Sequence, residues 1–207
     1  MGTWRAVKIV RRASFTSSRP YEREFEGIRK FEPVSRAHGS QVDILHVGRD
    51  DVAGHFYYVM ELADDTHRGQ DIEPTSYVPR TLSSELKEHG RLSAQQSVAT
   101  GLVAAMALEH LHAHQLIHRD IEPADIGLVA EVAEDASFVG TEGYVPVEGP
   151  GSKQADIFAL GRVLYEISTG FSPRKFPDIP RRAPATRDGG ALGGGGCGAA
   201  ALVGGAG

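Results

Sequence analysis

The chain reads as an α+β protein of two parts, a small strand-rich first part followed by a mostly helical second one. Two observations predict this. Apolar and β-branched residues cluster in short runs up to about residue 63, and from Ser93 onward they recur at helical spacing. A third observation closes the folded region. Residues 181–207 hold 10 of the 25 glycines and seven alanines, with almost nothing large to bury, and this predicts a disordered tail. The expected division is therefore 1–63, 64–180 and 181–207.

In chain order, Trp4 to Val10 (WRAVKIV) surrounds Lys8 with strand-forming residues. Tyr21 to Phe31 places Phe25, Ile28 and Phe31 at helical spacing, with Glu24 four residues before Ile28. Ile44 to Val47 reads as a strand entering a turn at Gly48-Arg-Asp-Asp, and His55 to Leu62 as the next strand. Ser93-Ala-Gln-Gln is an N-cap with a glutamine at the capping-box position, and the apolar series Val98, Leu102, Ala105, Leu108, Leu111 after it predicts a long buried helix. A second helix is expected over Gln154 to Thr169, with Ile157, Leu160, Val163, Leu164 and Ile167 on one face and Gly170 ending it. No internal repeat is visible at periods of about 20–50 residues.

Composition excludes several classes. With 41% hydrophobic and 24% charged residues among 207, neither a disordered chain nor a collagen-like one is expected. Twenty-two basic against 27 acidic residues give a net charge of -5, so no global basic field attracts nucleic acid or an anionic membrane, and an anionic ligand has to be met locally. The single cysteine, Cys197, forms neither an internal disulfide nor a multi-thiolate metal site, which fits a reducing compartment. The start has no signal-peptide-like run, and no stretch approaches the roughly 18 apolar residues of a membrane helix. A cytoplasmic protein without a membrane segment is expected.

After the first long helix comes Ile117-His118-Arg119-Asp120-Ile121-Glu122-Pro123. Four further features follow the same order of appearance along the chain. They are Ala6-Val7-Lys8 with Glu24; Tyr58-Val-Met60-Glu61-Leu-Ala63; Asp125-Ile-Gly-Leu and Val139-Gly-Thr141-Glu-Gly-Tyr-Val-Pro-Val-Glu148; and Asp156-Ile-Phe-Ala-Leu-Gly161. Together they resemble the protein kinases, of the bacterial Ser/Thr type, over about Trp4 to Pro180. The resemblance implies a bilobal fold that uses ATP and Mg²⁺ to phosphorylate hydroxyl groups of a protein substrate or signalling partner. It implies that Asp120 accepts the hydroxyl proton, with His118 and Arg119 completing the catalytic-loop motif and Arg119 tying that loop to the activation segment. Lys8, paired with Glu24, would hold the α and β phosphates. Met60 would be the gatekeeper, and the backbone of Glu61 and Ala63 would face the adenine edge. Asp125 would bind Mg²⁺, Thr141 would mark Ser/Thr specificity, Glu148 would close the activation segment, and Asp156 would anchor the catalytic loop from below.

The pattern also breaks in four places. Seven residues precede Lys8, too few for the two strands and glycine-rich loop that cover the phosphates, and Gly149-Pro-Gly-Ser-Lys153 lacks P-loop spacing and reads as a turn. Asp120 and Asp125 are five residues apart, so a catalytic-loop asparagine and a hairpin of about a dozen residues are expected to be missing. Glu122 stands where Ser/Thr kinases carry a lysine, which sets a carboxylate beside the transferring phosphoryl group and predicts a steep loss of turnover. Past Pro180 the pattern stops, leaving an incomplete helical lobe and no basic partner for Glu148.

These breaks favour, as the alternative, an inactive pseudokinase-type binding or scaffold module or a truncated product. A phosphotransferase of small molecules is disfavoured by the Gly140-Thr141 to Glu148 segment, which presents a peptide. His110, His114 and His118 recur every four residues, and neighbouring pairs could meet a metal from one helix face, but core or helix-end histidines are the expectation. Ser14, Ser17, Ser18 and Ser137 are candidate phosphate acceptors, Ser137 foremost, against a background of solvated loop serines.

Overall fold

The structure, a computed structural model, describes residues 4–124, 126–127, 141–180 and 201–202. Three strands, β1 (Ala6–Arg11), β2 (Ile44–Asp50) and β3 (His55–Met60), form an antiparallel sheet in the order β1-β3-β2. The expected strands are all present. However, β2 runs through Gly48-Arg-Asp, and the turn falls at residues 51–54, with Gly54 at φ +70° before β3. A register shift between Ile44 and His46 marks a bulge at Leu45.

Helix α1 (Ser18–Ser35), longer than expected at both ends, covers one face of the sheet. Its inward residues Tyr21, Ile28 and Phe31 meet Val10, Ile44, Phe56, Tyr58 and Met60 in one buried cluster, with the Tyr21 and Phe25 rings 5.2 and 5.3 Å from that of Phe56. Arg49 on β2 fixes the helix start with two bonds to Glu22, at 2.6 and 2.8 Å. The other face of β1 leaves Val7 and Ile9 exposed.

The second part holds α2 (Leu82–His89), α3 (Ala94–Ala113) and α4 (Lys153–Thr169). The sequence reading missed α2. Thr81 and Ser84 form its capping box and Gly90, at φ +77°, ends it, so the signal was present in a helix only two turns long. Ser93 and Gln96 build the expected capping box of α3.

The face of α3 differs from the expectation. Val98 and Leu102 are each 63% exposed and Ala105 is exposed, while Ser97, Ala104, Ala107, Leu108 and Leu111 are buried. The reason is close helix packing. A Cβ on Gly101 would stand 3.0 Å from Leu164 of α4, so α3 turns its small residues toward α4. Ile157 of α4 is likewise 55% exposed, whereas Leu160, Val163 and Ile167 are buried and Leu164 packs partly buried beside them.

Both parts share one core cluster, in which Leu108, Leu111 and Ile121 connect to Ile28, Phe31 and Met60. Across the joint, Gln41 Nε2 donates to the Ala107 carbonyl at 2.7 Å and His110 Nε2 to that of Val34 at 3.1 Å. Two short strands, β4 (Ile126–Gly127) and β5 (Ala201–Leu202), pair antiparallel. Apart from Ala201 and Leu202, the expected disordered tail lies outside the described residues. Among the described residues no helix is long and apolar enough to cross a membrane.

Candidate functional site

The site is built from the start of α4 upward. Ser152 caps the helix by accepting the Ala155 amide, which places Asp156 in the first turn with 1% of its surface exposed. A buried carboxylate needs several donors, and Asp156 has three: the amides of His118 at 2.9 Å and Arg119 at 2.8 Å, and the His112 imidazole at 2.7 Å. A carboxylate only accepts, so His112 carries its proton on Nε2. Lys153 adds a bond from Nζ to the His112 carbonyl at 2.6 Å. Three segments far apart in sequence, the end of α3, the loop at 118–120 and the start of α4, are thereby fixed to one another.

Held in this way, the loop presents Asp120. Its Oδ1 accepts both the amide and the hydroxyl of Thr141, each at 2.9 Å. The residues after Thr141 turn sharply, with the Tyr144 amide on the Thr141 carbonyl at 3.1 Å and Gly143 at φ +99°, where a Cβ would press on Pro173 at 3.3 Å. Tyr144 is buried and its hydroxyl donates to Glu166 of α4 in a short bond. Burial, this bond, and the nearby carboxylates of Glu166 and Glu122 push the phenol well above its ordinary range. Glu122 lines a cavity of about 410 Å³ with Ser83, Lys87, Tyr144 and Glu166. Glu148 is exposed.

On the sheet, Lys8 lies on the inward side of β1 in register with Tyr58, its ammonium 5.9 Å from the Tyr58 ring centroid. Glu24 on α1 feels that ammonium. Burial raises its carboxyl and Lys8 lowers it, with burial the larger effect, so the group sits above its usual range. Met60 ends β3, almost fully buried, and the Glu61 amide donates to the Asp43 carbonyl at 3.3 Å. Ala63, read from sequence as offering its backbone, is 1% exposed, and its carbonyl accepts the Tyr77 hydroxyl at 3.2 Å.

The structure thus brings together Asp120 with Thr141, Asp156 with His118 and Arg119, and Glu24 with the field of Lys8. Asp125 and Ser137 lie outside the described residues. Arg119 Nε is buried without a hydrogen-bond partner among the described residues. The three histidines do not form a metal site: His118 is buried beside Asp156, His110 stacks between His38 and His114, and among the described residues no group of three His, Cys, Asp or Glu could hold an ion.

Sequence reasoning missed His112, Tyr144, Glu166, Asp65 and Tyr77. Only Asp65 carried a local signal, since aspartate before Thr-His-Arg-Gly is a turn-former.

No protein-family model matches the chain. Curated proteins do. Over 195 residues it is 26% identical to the serine/threonine-protein kinase PrkC of Bacillus subtilis, covering 81% of this chain and 26% of that one. Over 154 residues it is 29% identical to a probable serine/threonine-protein kinase of Clostridium perfringens, covering 64% of this chain and 20% of that one. Over 116 residues it is 30% identical to the serine/threonine-protein kinase PknB of Mycobacterium leprae, covering 45% and 19%. The chain therefore spans about a fifth to a quarter of the length of these relatives.

Proposed function

We propose, from the chain's relationship to the Ser/Thr protein kinases, that it is a kinase-like domain that takes Mg·ATP between sheet and helices and presents a protein hydroxyl at Asp120, with turnover held low by Glu122. The observation that carries the reading is the pair of hydrogen bonds that the Thr141 amide and hydroxyl donate to Asp120. It sets a carboxylate, on a loop fixed by Asp156, beside the segment that would present the substrate.

In this reading Lys8, kept in place by Glu24, holds the phosphates. The linker at Met60 to Ala63 meets the base, and Asp125 ligates the magnesium. The residues fit the nucleotide at one end, because Lys8 is an inward-facing cation coupled to a half-buried carboxylate. When bound, ATP supplies the γ-phosphoryl group and Mg²⁺ offsets charge on the phosphate oxygens. Asp120 would orient the hydroxyl and take its proton as that oxygen bonds to the γ-phosphorus and the bond from the γ-phosphorus to the β-phosphate oxygen breaks, releasing ADP. Glu122, two residues on, adds negative charge where negative charge is developing, which raises the barrier. The lone Cys197 supports a reducing compartment such as the cytoplasm.

A second reading rests on Glu122 itself: a module that binds nucleotide or a protein partner without turnover. A thermal-shift titration with Mg·ATP, run beside phosphoryl transfer to a generic basic protein, separates the two. A magnesium-dependent rise in melting temperature that Lys8→Ala abolishes, with transfer that Glu122→Lys increases, is the expected outcome. A shift without transfer in either protein leaves the binding module. No shift in a cooperatively melting sample rejects the nucleotide site.

A further inference from the structure

Between the linker and α2 the chain makes an excursion, residues 64–80, that none of the resemblance motifs uses. Its neck is closed by Asp65, which is 3% exposed. Asp65 Oδ1 accepts the amides of His67 and Arg68, each at 2.9 Å, and Oδ2 accepts that of Val78 at 2.8 Å, so one carboxylate ties both ends of the excursion together. Backbone bonds from Asp65 to Gly69, Thr66 to Val78 and Arg80 to Asp64 complete the closure.

The bond to Val78 also fixes the backbone next to Tyr77. That side chain turns back over the linker, and its hydroxyl donates to the Ala63 carbonyl at 3.2 Å. Burial and the nearby Asp65 push the phenol up to about 12, so at neutral pH it remains a donor. Ala63 is, with Glu61, one of the two linker residues whose backbone a base would meet, yet it is covered and its carbonyl already accepts the Tyr77 hydroxyl.

We propose that Tyr77 gates the base end of the nucleotide site: its hydroxyl occupies Ala63 in the closed position, and a purine engages the linker only once this side chain has turned out. Asp65 is the positioning residue behind it, acting through Val78. The inference rests on the nucleotide reading above. Because the closed contact competes with the ligand, its loss strengthens binding. A net hydrogen bond of roughly 0.5–1.5 kcal/mol corresponds to about a 2- to 10-fold gain in affinity.

The test is calorimetric titration of Mg·ATP into the wild-type chain, Tyr77→Ala, Tyr77→Phe, Asp65→Asn and the Tyr77→Ala/Asp65→Asn double variant, each checked for cooperative melting. The gate predicts about 2- to 10-fold tighter binding in both alanine and phenylalanine variants. It also predicts a double variant no tighter than Tyr77→Ala alone, since both changes act on one contact. Additive gains overturn the role given to Asp65. Equal or weaker binding by Tyr77→Phe, or by a well-folded Tyr77→Ala, overturns the gate while leaving the nucleotide reading intact. No heat of binding in any of the proteins overturns both.

Discussion

Arg119 holds a left-handed backbone, φ +72°, and donates its amide at 2.8 Å to the buried carboxylate of Asp156. A non-glycine residue in that region costs on the order of 1–3 kcal/mol and persists only where its surroundings enforce it. Here Asp156 enforces it, with His118 and His112 as its other donors. Asp156→Ala leaves one buried and two part-buried donors without this acceptor and frees Arg119 to relax. We expect a loss of about 3–5 kcal/mol in urea unfolding, and a smaller loss for Asp156→Asn, which keeps one acceptor oxygen. A loss below about 1 kcal/mol for the alanine variant would show that other contacts hold the loop.

Thr141 reaches Asp120 with two donors, and only the hydroxyl can be removed by substitution. Thr141→Val keeps the shape and the amide, so it isolates one bond to a charged acceptor on a half-buried residue. The expected cost is about 1–2 kcal/mol, with Thr141→Ser close to wild type. Urea unfolding of the two variants checks the ordering, and equal stabilities would assign the contact to the amide alone.

Glu24 gives a prediction of opposite sign. Its carboxyl is raised because burial outweighs the attraction of Lys8, so the folded chain binds a proton there more tightly than the unfolded chain. Charged Glu24 therefore costs stability at neutral pH, and the cost fades as pH falls through the raised value. Glu24→Gln should melt higher than wild type at pH 7, with the difference shrinking toward pH 4, while any Mg·ATP-dependent shift is weakened. A variant that melts lower at pH 7 would show that the attraction of Lys8 outweighs burial.

Asp65 titrates in the other direction. Three backbone amides, led by that of Val78, hold its carboxyl below the ordinary range. A depressed carboxylate contributes stability that is fully present above its unfolded value, near about 3.9, and is lost as pH falls through the folded one. Asp65→Asn should therefore melt lower than wild type at pH 6, and the two should converge toward pH 3. A constant difference across that range would remove the charge from the account.

The strands, the Ser93 cap and the glycine at the end of α4 were legible because each is a local signal that the neighbouring residues enforce. The buried face of α3 was not. The helix is apolar on several sides, and its orientation is decided by how closely Gly101 approaches α4 at Leu164, which favours a small residue there over Val98 and Leu102. The motifs named Asp120, Thr141 and Asp156 one by one, but the bonds among them span 21 to 38 residues and follow only from tertiary closure. Tyr77 was invisible for the same reason: nothing around it in sequence says that it folds back 14 residues onto Ala63.

Gly90 and Gly170 form a matched pair. Both end helices with positive φ, +77° and +72°, so an alanine at either carries left-handed strain of roughly 1 kcal/mol. Their surroundings differ. A Cβ at Gly90 meets nothing within 4 Å, whereas one at Gly170 would stand 2.7 Å from the Gly90 carbonyl oxygen. The ends of α2 and α4 therefore touch backbone to backbone, next to the Leu92 amide bonded to the Ile167 carbonyl at 2.7 Å. Gly170→Ala has to push these ends apart and disturb that bond as well as accept the strain. It should cost clearly more than Gly90→Ala, by at least about 1 kcal/mol in urea unfolding. Equal costs would mean that the two helix ends separate without penalty, and that the joint beside the 410 Å³ cavity is not a rigid wall of the site.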